Sequence, residues 1–446
     1  MACRRTKMIV LMRVQLGSLP TPIPTGNTIL ARISFRLAVA ASLAVLTGCG
    51  FGANRRAFPE TSTRIAVLTD QLPWPMSDEQ VRFAATHYVG TQKLTLNVSR
   101  RLRAINPGFL VLHYHLAMWQ SAPNVPFITD GNTWGNDYPA VNAHELWFWH
   151  NREHQRVTSS HDGKLLMNVS DDGFREHWRD SLLRQVEDGD YDGVFLDSAS
   201  PALLQGEART PADPRLFADG VRTNTFAELG GRSWIAAWED WIADLDRSLS
   251  SRGVPLIPNI GSLVTTWDNS DYSLSAGAFC EGFLDPGFST QDWIAAANQT
   301  LALVRRNKIV ILQNYLPSAD ETAKRRFLLA SYLLVKGART YVAYFASTPF
   351  EWYPEWDLDL GGAQKSAVTM DELSWNGIYR RDFDKGIVLV NPGANAVHVT
   401  FEGTFKRVEP VGGGAVSVDG TVSGRVDTVP VTTLELGAKT AEILLR

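Results

Sequence analysis

Short apolar runs alternate with amphipathic segments from about residue 62 to about residue 375. The runs predict buried strands, and apolar side chains at helical spacing predict helices between them. The sequence predicts eight strands, at 65–68, 87–92, 109–115, 193–196, 254–258, 278–283, 308–313 and 340–345. Capping boxes at Ser77 with Gln80 and at Ser318 with Glu321 predict the starts of two helices.

This alternation predicts an α/β fold, a (β/α)8 TIM barrel over residues 63–375. A doubly wound sheet is the alternative, although no glycine-rich phosphate loop follows a strand. From about residue 376 the pattern changes to alternating runs at 386–391, 396–401, 432–436 and 441–445, separated by glycine-rich turns. We therefore expect a small C-terminal antiparallel β-sandwich over 376–446.

The first 48 residues have the pattern of a secretory signal. Arg32 and Arg36 precede a short apolar run at 37–46, which is too short to span a bilayer. The sequence Leu-Thr-Gly-Cys ending at Cys49 resembles a bacterial lipobox, in which the cysteine is lipidated; a plain signal peptide with a chance cysteine is the alternative. Residues 49–62 would then be a tether. We expect a secreted protein at the cell envelope or surface, in contact with the membrane only through a lipid at Cys49.

Charge and cysteine usage exclude several classes of protein. The formal net charge is −4, and the first 48 residues carry six basic and no acidic side chains, so the body is more acidic than the whole. An acidic body argues against nucleic-acid binding. Three cysteines exclude a disulfide framework and a cysteine-based zinc site. No His and Glu cluster has metal-ligand spacing, so we expect no metal and no cofactor.

Two carboxylates are the main candidates for catalysis. Asp197 ends the strand in Asp192-Gly-Val-Phe-Leu-Asp197, and Glu281 lies between aromatic neighbours at the end of the sixth strand. Asp197 could instead cap the next turn, and Glu281 could pair with a basic residue across the barrel. If both face one cleft, however, they can share the work of glycoside cleavage as nucleophile and acid/base.

Other polar and aromatic residues at strand ends are candidates for sugar binding. We expect only one of His113 and His115 to face the barrel axis, and the other to be structural. Tryptophans in or beside the loops after the third and eighth strands can stack on sugar rings, although ordinary packing is the alternative. They are Trp119, Trp134, Trp147, Trp149, Trp352 and Trp356. The candidate substrate-binding residues are Asp70, His113, His115, Trp119, Trp134, Asn259, Gln313, Asn314 and Tyr344.

The stretches 191–197 and 280–283, supported by 161–163 and 168–170, resemble a known family over roughly residues 62–375. This is hypothetical glycoside-hydrolase-like family fifteen, a group of TIM-barrel glycosidases related to polygalactosaminidase-like and α-galactosidase-like barrels. The resemblance implies Asp197 as the nucleophile of the fourth strand and Glu281 as the acid/base of the sixth. The long loop at 199–232 departs from the pattern and could reshape the cleft.

The leading hypothesis is a lipid-anchored retaining hydrolase of an extracellular or envelope polysaccharide or oligosaccharide. A non-catalytic glycan-binding lipoprotein on the same scaffold is the first alternative, since a fold does not fix a function. It predicts carboxylates that are too far apart or paired with arginine. A structural envelope protein without a sugar-sized cleft is the second alternative.

Overall fold

The parallel strands and the helices between them alternate along the first two thirds of the described chain. The computed structural model describes residues 55–121, 138–159, 163–201, 213–216, 220–261, 270–348 and 350–446. The parallel strands are β1 (Leu68–Thr69), β2 (Gly90–Gln92), β3 (Leu110–Leu116), β6 (Gly193–Asp197), β7 (Leu256–Pro258), β8 (Gly277–Glu281), β9 (Ile309–Tyr315) and β10 (Thr340–Phe345). The helices are α1 (Asp78–His87), α2 (Leu96–Ile105), α3 (Tyr138–Val141), α4 (Asp172–Asp188), α5 (Gly220–Thr223), α6 (Trp234–Ser250), α7 (Thr290–Arg305) and α8 (Thr322–Val335). A short antiparallel pair, β4 (Trp119–Gln120) and β5 (Leu165–Leu166), lies between β3 and α4.

The parallel strands form two sheets. One has the order β1-β2-β3-β6-β7 and the other the order β10-β9-β8. Isolated parallel bridges join Asn259 to Phe279 and Val67 to Val342, between the edge strands of the two sheets. The chain is therefore mixed α/β, with all eight predicted strands present close to their expected positions.

The side chains on the two faces of these strands belong to two different apolar clusters. The inner cluster takes side chains from both sheets and is small. Its members are Ala66, Leu68, Leu110, Leu112, Tyr114, Leu116, Phe195, Ile257, Phe279, Ile309, Ile311 and Tyr341. The opposite face packs on the helices within a much larger core. Because successive side chains of a strand alternate between faces, the inner cluster identifies which strand-end residues lie on the same side.

Local hydrogen bonds explain where several helices begin. Ser77 and Gln80 form the predicted capping box of α1, which satisfies two backbone N–H groups at that helix end. Asp171 caps α4 and Ser233 caps α6 through their side chains. The predicted box at Ser318 and Glu321 is wrong: α8 starts after Glu321, whose side chain makes no capping bond.

The C-terminal strands form a single hydrogen-bonded antiparallel sheet, so the expected two-sheet sandwich is corrected. Its order is β12-β13-β14-β18-β15-β17. The strands are β12 (Ser374–Trp375), β13 (Ile378–Phe383), β14 (Gly386–Asn391), β15 (Val397–Gly412), β17 (Gly424–Leu436) and β18 (Thr440–Leu445), and a separate pair joins β11 (Glu351–Trp352) to β16 (Gly414–Ala415). The pairing of β15 with β17 shifts register between Thr400 and Phe405. An irregularity of this kind bends a strand. The β15–β17 hairpin shares an apolar cluster with β13, β14 and β18, separate from the large core.

The described part of the expected tether, residues 55–62, is packed against the amino ends of the parallel strands. Arg56 pairs with buried Asp192 at 3.0 Å. The Thr61 hydroxyl donates to the carbonyl of Gly337, and the hydroxyl of Tyr341 donates to the carbonyl of Pro59. The described part of the predicted tether therefore packs on the parallel strands. The predicted signal and Cys49 lie outside the described residues.

Across the described residues, we find no helix with the length and apolar character needed to cross a membrane.

Candidate functional site

The motif from Asp192 to Asp197 spans β6 from end to end, and its two carboxylates have different environments. Asp192 is fully buried at the amino end, where Arg103 pairs with it at 2.7 Å and the backbone N–H of Val111 donates to it. A Cβ on Gly193 would lie 2.9 Å from Pro255, so glycine allows β6 and β7 to approach. Asp192 is therefore a structural anchor, whereas Asp197 at the other end is half-buried and reaches solvent.

Asp197 and Glu281 lie on the inner side of their strands. Each follows an inner-cluster phenylalanine by two positions, Phe195 in β6 and Phe279 in β8. Asn259 stands in the same relation to Ile257 in β7. The three side chains therefore converge at the carboxyl ends of neighbouring strands.

A single nitrogen joins the two carboxylates. Nδ2 of Asn259 donates to Oδ1 of Asp197 at 2.9 Å and to Oε2 of Glu281 at 2.8 Å. Within the described residues, neither carboxylate forms an ion pair with an arginine, which the non-catalytic alternative had predicted as one option. The sequence prediction that these two residues share a site agrees with this geometry.

Two tyrosines supply the remaining side-chain donors. The Tyr114 hydroxyl donates to Oδ2 of Asp197 at 2.6 Å, and the exposed Tyr315 donates to Oε1 of Glu281. The backbone N–H of Ser198 also donates to Asp197 at 2.8 Å. Burial of its hydroxyl end and the neighbouring Glu281 both raise the pKa of Tyr315, so it remains a donor at neutral pH.

Asp70 and Lys93 form the other flank of the site. Nζ of Lys93 lies 3.0 Å from Oδ1 of Asp70, and Gln92 donates to the same oxygen at 2.6 Å. The ammonium group also lies 5.0 Å from the Tyr114 ring centroid and 5.7 Å from that of Phe195. The site therefore contains three carboxylates and one lysine among the described residues.

The strand ends share a backbone feature. Lys93, Ser198 and Gly282 directly follow the inner-face residues Gln92, Asp197 and Glu281, with φ of 53°, 53° and 80°. Glycine takes this left-handed conformation without strain, whereas it costs a lysine or serine about 1 kcal/mol or more. Strain of this size is typical of functional sites, and here it turns the chain away immediately after each site residue.

The histidine prediction is corrected. Residues two apart in a strand share a face, so His113 and His115 lie together on the helix side and Tyr114 alone faces the site. His113 is fully buried and bonded to Gln185 of α4 at 2.8 Å, while the His115 ring packs 4.6 Å from the Trp178 ring. Neither contacts the carboxylates. The sequence interpretation missed Tyr114, which lies two residues after Leu112 of the inner cluster.

Several other candidates also lie away from the site. Tyr344 faces outward and donates to buried Glu355 at 2.8 Å. Asn314 is buried. Its neighbours in the sequence, Gln313 and Tyr315, lie on the inner face of β9, so the side chain of Asn314 lies on the opposite face. Gln313 is buried below the surface of the site, where its amide contacts the Tyr315 hydroxyl at 3.3 Å. It can position Tyr315, while Asn314 and Tyr344 have structural surroundings.

The tryptophans proposed as sugar platforms are mostly core residues. Trp119, at 3% exposure, packs within the large core. Trp149, Trp352 and Trp356 are buried there too, while Trp134 lies outside the described residues. The stacking prediction is therefore wrong for Trp119, because its ring faces are already covered. Cys280 is buried on the opposite face from Glu281, as predicted, and burial raises its pKa well above the usual range.

No group of three or more His, Cys, Asp or Glu side chains in the described parts of the chain is arranged to hold a metal ion.

The family of the chain follows from its sequence match. A model of Hypothetical glycosyl hydrolase family 15 matches residues 103–387, more than half of the chain. The chain belongs to this family. The family resemblance is thus confirmed. It places the chain among the glycoside hydrolases. The matched region contains Asp197, Asn259 and Glu281, but Asp70 and Lys93 lie before it.

Three solved structures with low similarity are sugar-processing enzymes. The noncanonic maltogenic alpha-amylase from Thermotoga neapolitana is 11% identical with a TM-score of 0.41, covering 85% of this chain and 98% of that one. The cycloalternan-degrading enzyme from Trueperella pyogenes is 11% identical with a TM-score of 0.44, covering 88% and 61%. The pullulanase from Bacillus acidopullulyticus is 11% identical with a TM-score of 0.38, covering 83% and 55%. The chain thus spans less than two thirds of the latter two. No curated protein sequence matches the chain.

Proposed function

We propose that this family member is a retaining glycoside hydrolase with Asp197 as nucleophile and Glu281 as acid/base. The observation that carries the proposal is the Asn259 nitrogen shared by both carboxylates, at 2.9 and 2.8 Å. Two oxygens bound to one nitrogen can be no farther apart than the two contacts laid end to end, about 5.7 Å. Retaining enzymes hold their carboxyl groups about 5–5.5 Å apart, and inverting enzymes about 6.5–9.5 Å. The spacing therefore favours retention.

The reaction follows from the two positions. A carboxylate oxygen of Asp197 attacks the anomeric carbon while protonated Glu281 gives its proton to the glycosidic oxygen, and the carbon–oxygen bond to the leaving sugar breaks. The product of this step is a glycosyl ester on Asp197. Ionised Glu281 then takes a proton from water, whose oxygen attacks the same carbon and releases Asp197. Two inversions at one carbon give net retention.

The surrounding donors fit this division of work. Asp197 accepts hydrogen bonds from Tyr114, Asn259 and the backbone of Ser198, which hold its oxygens and stabilise the ionised form. Glu281 has Tyr315 on its exposed side, where a leaving sugar would sit. We propose Asp70 and Asn259 as partners of the sugar hydroxyls, with Gln313 acting through Tyr315.

We propose that the two parallel sheets close into the expected (β/α)8 barrel. Support comes from the bridges Asn259–Phe279 and Val67–Val342 and from the apolar cluster that both sheets share. Closure places all strand carboxyl ends around one mouth, where barrel enzymes hold their catalytic residues. An experimental structure with a gap between β7 and β8 would contradict this.

We also propose that the enzyme is secreted, is lipid-anchored at Cys49, and acts on an extracellular or envelope polysaccharide. The support is the lipobox-like sequence described above. In cells, the wild-type protein should fractionate with membranes and incorporate a labelled fatty acid, and Cys49→Ser should do neither. Equal membrane association of both forms would reject the anchor while leaving the catalytic proposal intact.

The catalytic proposal is tested by hydrolysis of a polysaccharide panel, measured as released reducing ends. The wild type should cleave at least one member, whereas Asp197→Asn and the double variant Asp197→Asn/Glu281→Gln should not. Asp320→Asn, which changes an exposed carboxylate after β9, is the matched control and should retain wild-type activity. Undiminished cleavage by Asp197→Asn would eliminate the assignment.

Retention has its own readout. Proton NMR of the first product should show the anomeric configuration of the substrate. A 2-deoxy-2-fluoro glycoside of the cleaved sugar should add its mass to the peptide containing Asp197. A product of opposite configuration would establish inversion and reject Asp197 as a nucleophile.

A further inference from the structure

Lys93 lies beside the carboxylate pair but is absent from the two-carboxylate mechanism. It directly follows β2, and its left-handed backbone at φ 53° turns its side chain into the site. Asp70 at the end of β1 holds the ammonium group at 3.0 Å. The lysine is therefore fixed, and its position is built by two strand ends that the family match does not include.

The ammonium group lies on the Asp197 side of the site. Its ring neighbours are Tyr114, which donates to Asp197, and Phe195, two residues before Asp197 in β6. In sheet order, β2 is separated from β6 by β3 alone, whereas β7 lies between β6 and the Glu281 strand. The positive charge is therefore placed asymmetrically between the two carboxylates.

Among the described residues, the charged and titratable groups facing Lys93 are Asp70 after β1, Tyr114 in β3, Asp197 in β6 and Glu281 in β8. Burial alone lowers the pKa of Lys93, but attraction by Asp70, then Asp197, then Glu281 outweighs it, so the pKa is raised. The lysine therefore stays charged throughout the pH range in which a glycosidase works.

We propose that Lys93 is a positioning residue that assigns the two catalytic roles: held by Asp70, its ammonium group keeps Asp197 ionised and leaves Glu281 as the carboxyl group that takes up the proton. A glycosidase needs one ionised and one protonated carboxyl group at the same pH. Hydrogen bonds from Tyr114 and the backbone of Ser198 already favour ionised Asp197, and a fixed cation on the Asp197 side of the site adds to that preference. This inference rests on the proposed function and adds a residue to it.

The test compares neutral and charged replacements. Lys93→Met and Lys93→Gln remove the charge, while Lys93→Arg retains it. With the panel substrate that the wild type cleaves, both neutral variants should lower kcat/KM about 10- to 100-fold. They should also move the acid limb of its pH profile up by about half to one pH unit. Lys93→Arg should keep the acid limb. A purely structural role would lower activity without moving the limb.

A second readout needs no substrate. In protein labelled with 13C at aspartate carboxyl groups, the Asp197 signal is identified by its loss in Asp197→Asn. Its titration midpoint should be higher in Lys93→Met and Lys93→Gln than in the wild type and Lys93→Arg. An unchanged midpoint in both folded neutral variants would overturn the inference. If the wild type cleaves no glycoside, the proposed function fails, and this titration still decides whether Lys93 controls Asp197.

Discussion

Asp197 and Glu281 share a single hydrogen-bond donor, the side-chain nitrogen of Asn259. One amide thereby fixes the distance between the two carboxylates and stabilises negative charge on both. A hydrogen bond to a charged group contributes about 1.5–3 kcal/mol, so losing these contacts should be costly for a reaction that depends on the spacing.

The first prediction concerns this amide. Asn259→Leu should lower kcat about 100-fold, since roughly 3 kcal/mol of positioning is lost and each 1.4 kcal/mol is about tenfold in rate. Steady-state kinetics measures the effect, with circular dichroism confirming the fold. Asn314→Ala is the matched amide variant on the other strand face and should leave kcat within about threefold of the wild type. Equal effects of the two changes would contradict the role of Asn259.

A second prediction is that tyrosines on the inner and outer faces of the strands differ in their effect on activity. Tyr114→Phe and Tyr315→Phe each remove one donor from a catalytic carboxylate and should lower kcat/KM by about tenfold or more with little loss of stability. Tyr344→Phe removes a donor from buried Glu355 and should cost about 1–2 kcal/mol of unfolding free energy without changing kcat/KM. Kinetics and urea unfolding of the three variants test the contrast. Loss of activity in Tyr344→Phe alone would refute it.

The strand ends could be predicted from sequence because each apolar run stops at a polar residue. Asp197 and Glu281 follow inner-face phenylalanines, and a carboxylate at such a position has few structural reasons to be there. Asn259 was also found in this way. The two histidines of β3 alternate with Leu112, Tyr114 and Leu116, so the sequence places them on one face. Which of the two faces is the inner one could not be predicted, because β3 is buried on both. Hence the histidines were assigned to the site and Tyr114 was not.

Three other errors have physical reasons. Trp119 and Tyr344 follow or end strands where ligand-binding residues are common, but sequence position does not reveal that their rings fill the core. Lys93 was missed because its pairing with Asp70 depends on β1 and β2 being parallel neighbours. The two side chains are 23 residues apart in the sequence, so the contact cannot be seen along the chain. The bent C-terminal sheet likewise depends on the register shift in β15, which leaves no clear mark in the sequence.

The third prediction concerns a buried ion pair that ties α8 to the C-terminal hairpin. Arg325 makes two bonds to Glu355, at 2.8 and 2.6 Å, and donates to the carbonyl of Gly412 at 2.9 Å, while both charged side chains are almost fully buried. Arg325→Met leaves a buried uncompensated carboxylate and should cost about 3–5 kcal/mol of unfolding free energy. The double variant Arg325→Met/Glu355→Gln should regain part of this, because no charge is then stranded.

Urea unfolding measures both Arg325 variants. Arg247→Met removes a mostly exposed pair with Asp244 and should change stability little, as exposed pairs do. A single Arg325 variant as stable as the double variant would show that Glu355 does not depend on the arginine for its burial.

The last prediction is a pH dependence of stability caused by His113. Burial, with a smaller contribution from neighbouring His115, lowers the pKa of His113 to about 3 in the folded protein. In the unfolded chain an imidazole titrates near its usual pKa of about 6.5. Between these values only the unfolded chain binds the proton, so the stability of the fold decreases as the pH falls from about 6.5 toward 3. At pH 5 the loss is about 2 kcal/mol relative to neutral pH.

His113→Gln removes this proton-binding difference. Its unfolding free energy should therefore fall by about 2 kcal/mol less than that of the wild type between pH 7 and pH 5, whatever the variant loses at pH 7. Urea unfolding at the two pH values gives the difference. The exposed His398 of β15 is the control, and His398→Gln should follow the wild-type pH dependence. If His113→Gln also follows it, the imidazole binds its proton in the folded state and must lie nearer to solvent than the packing against Gln185 allows.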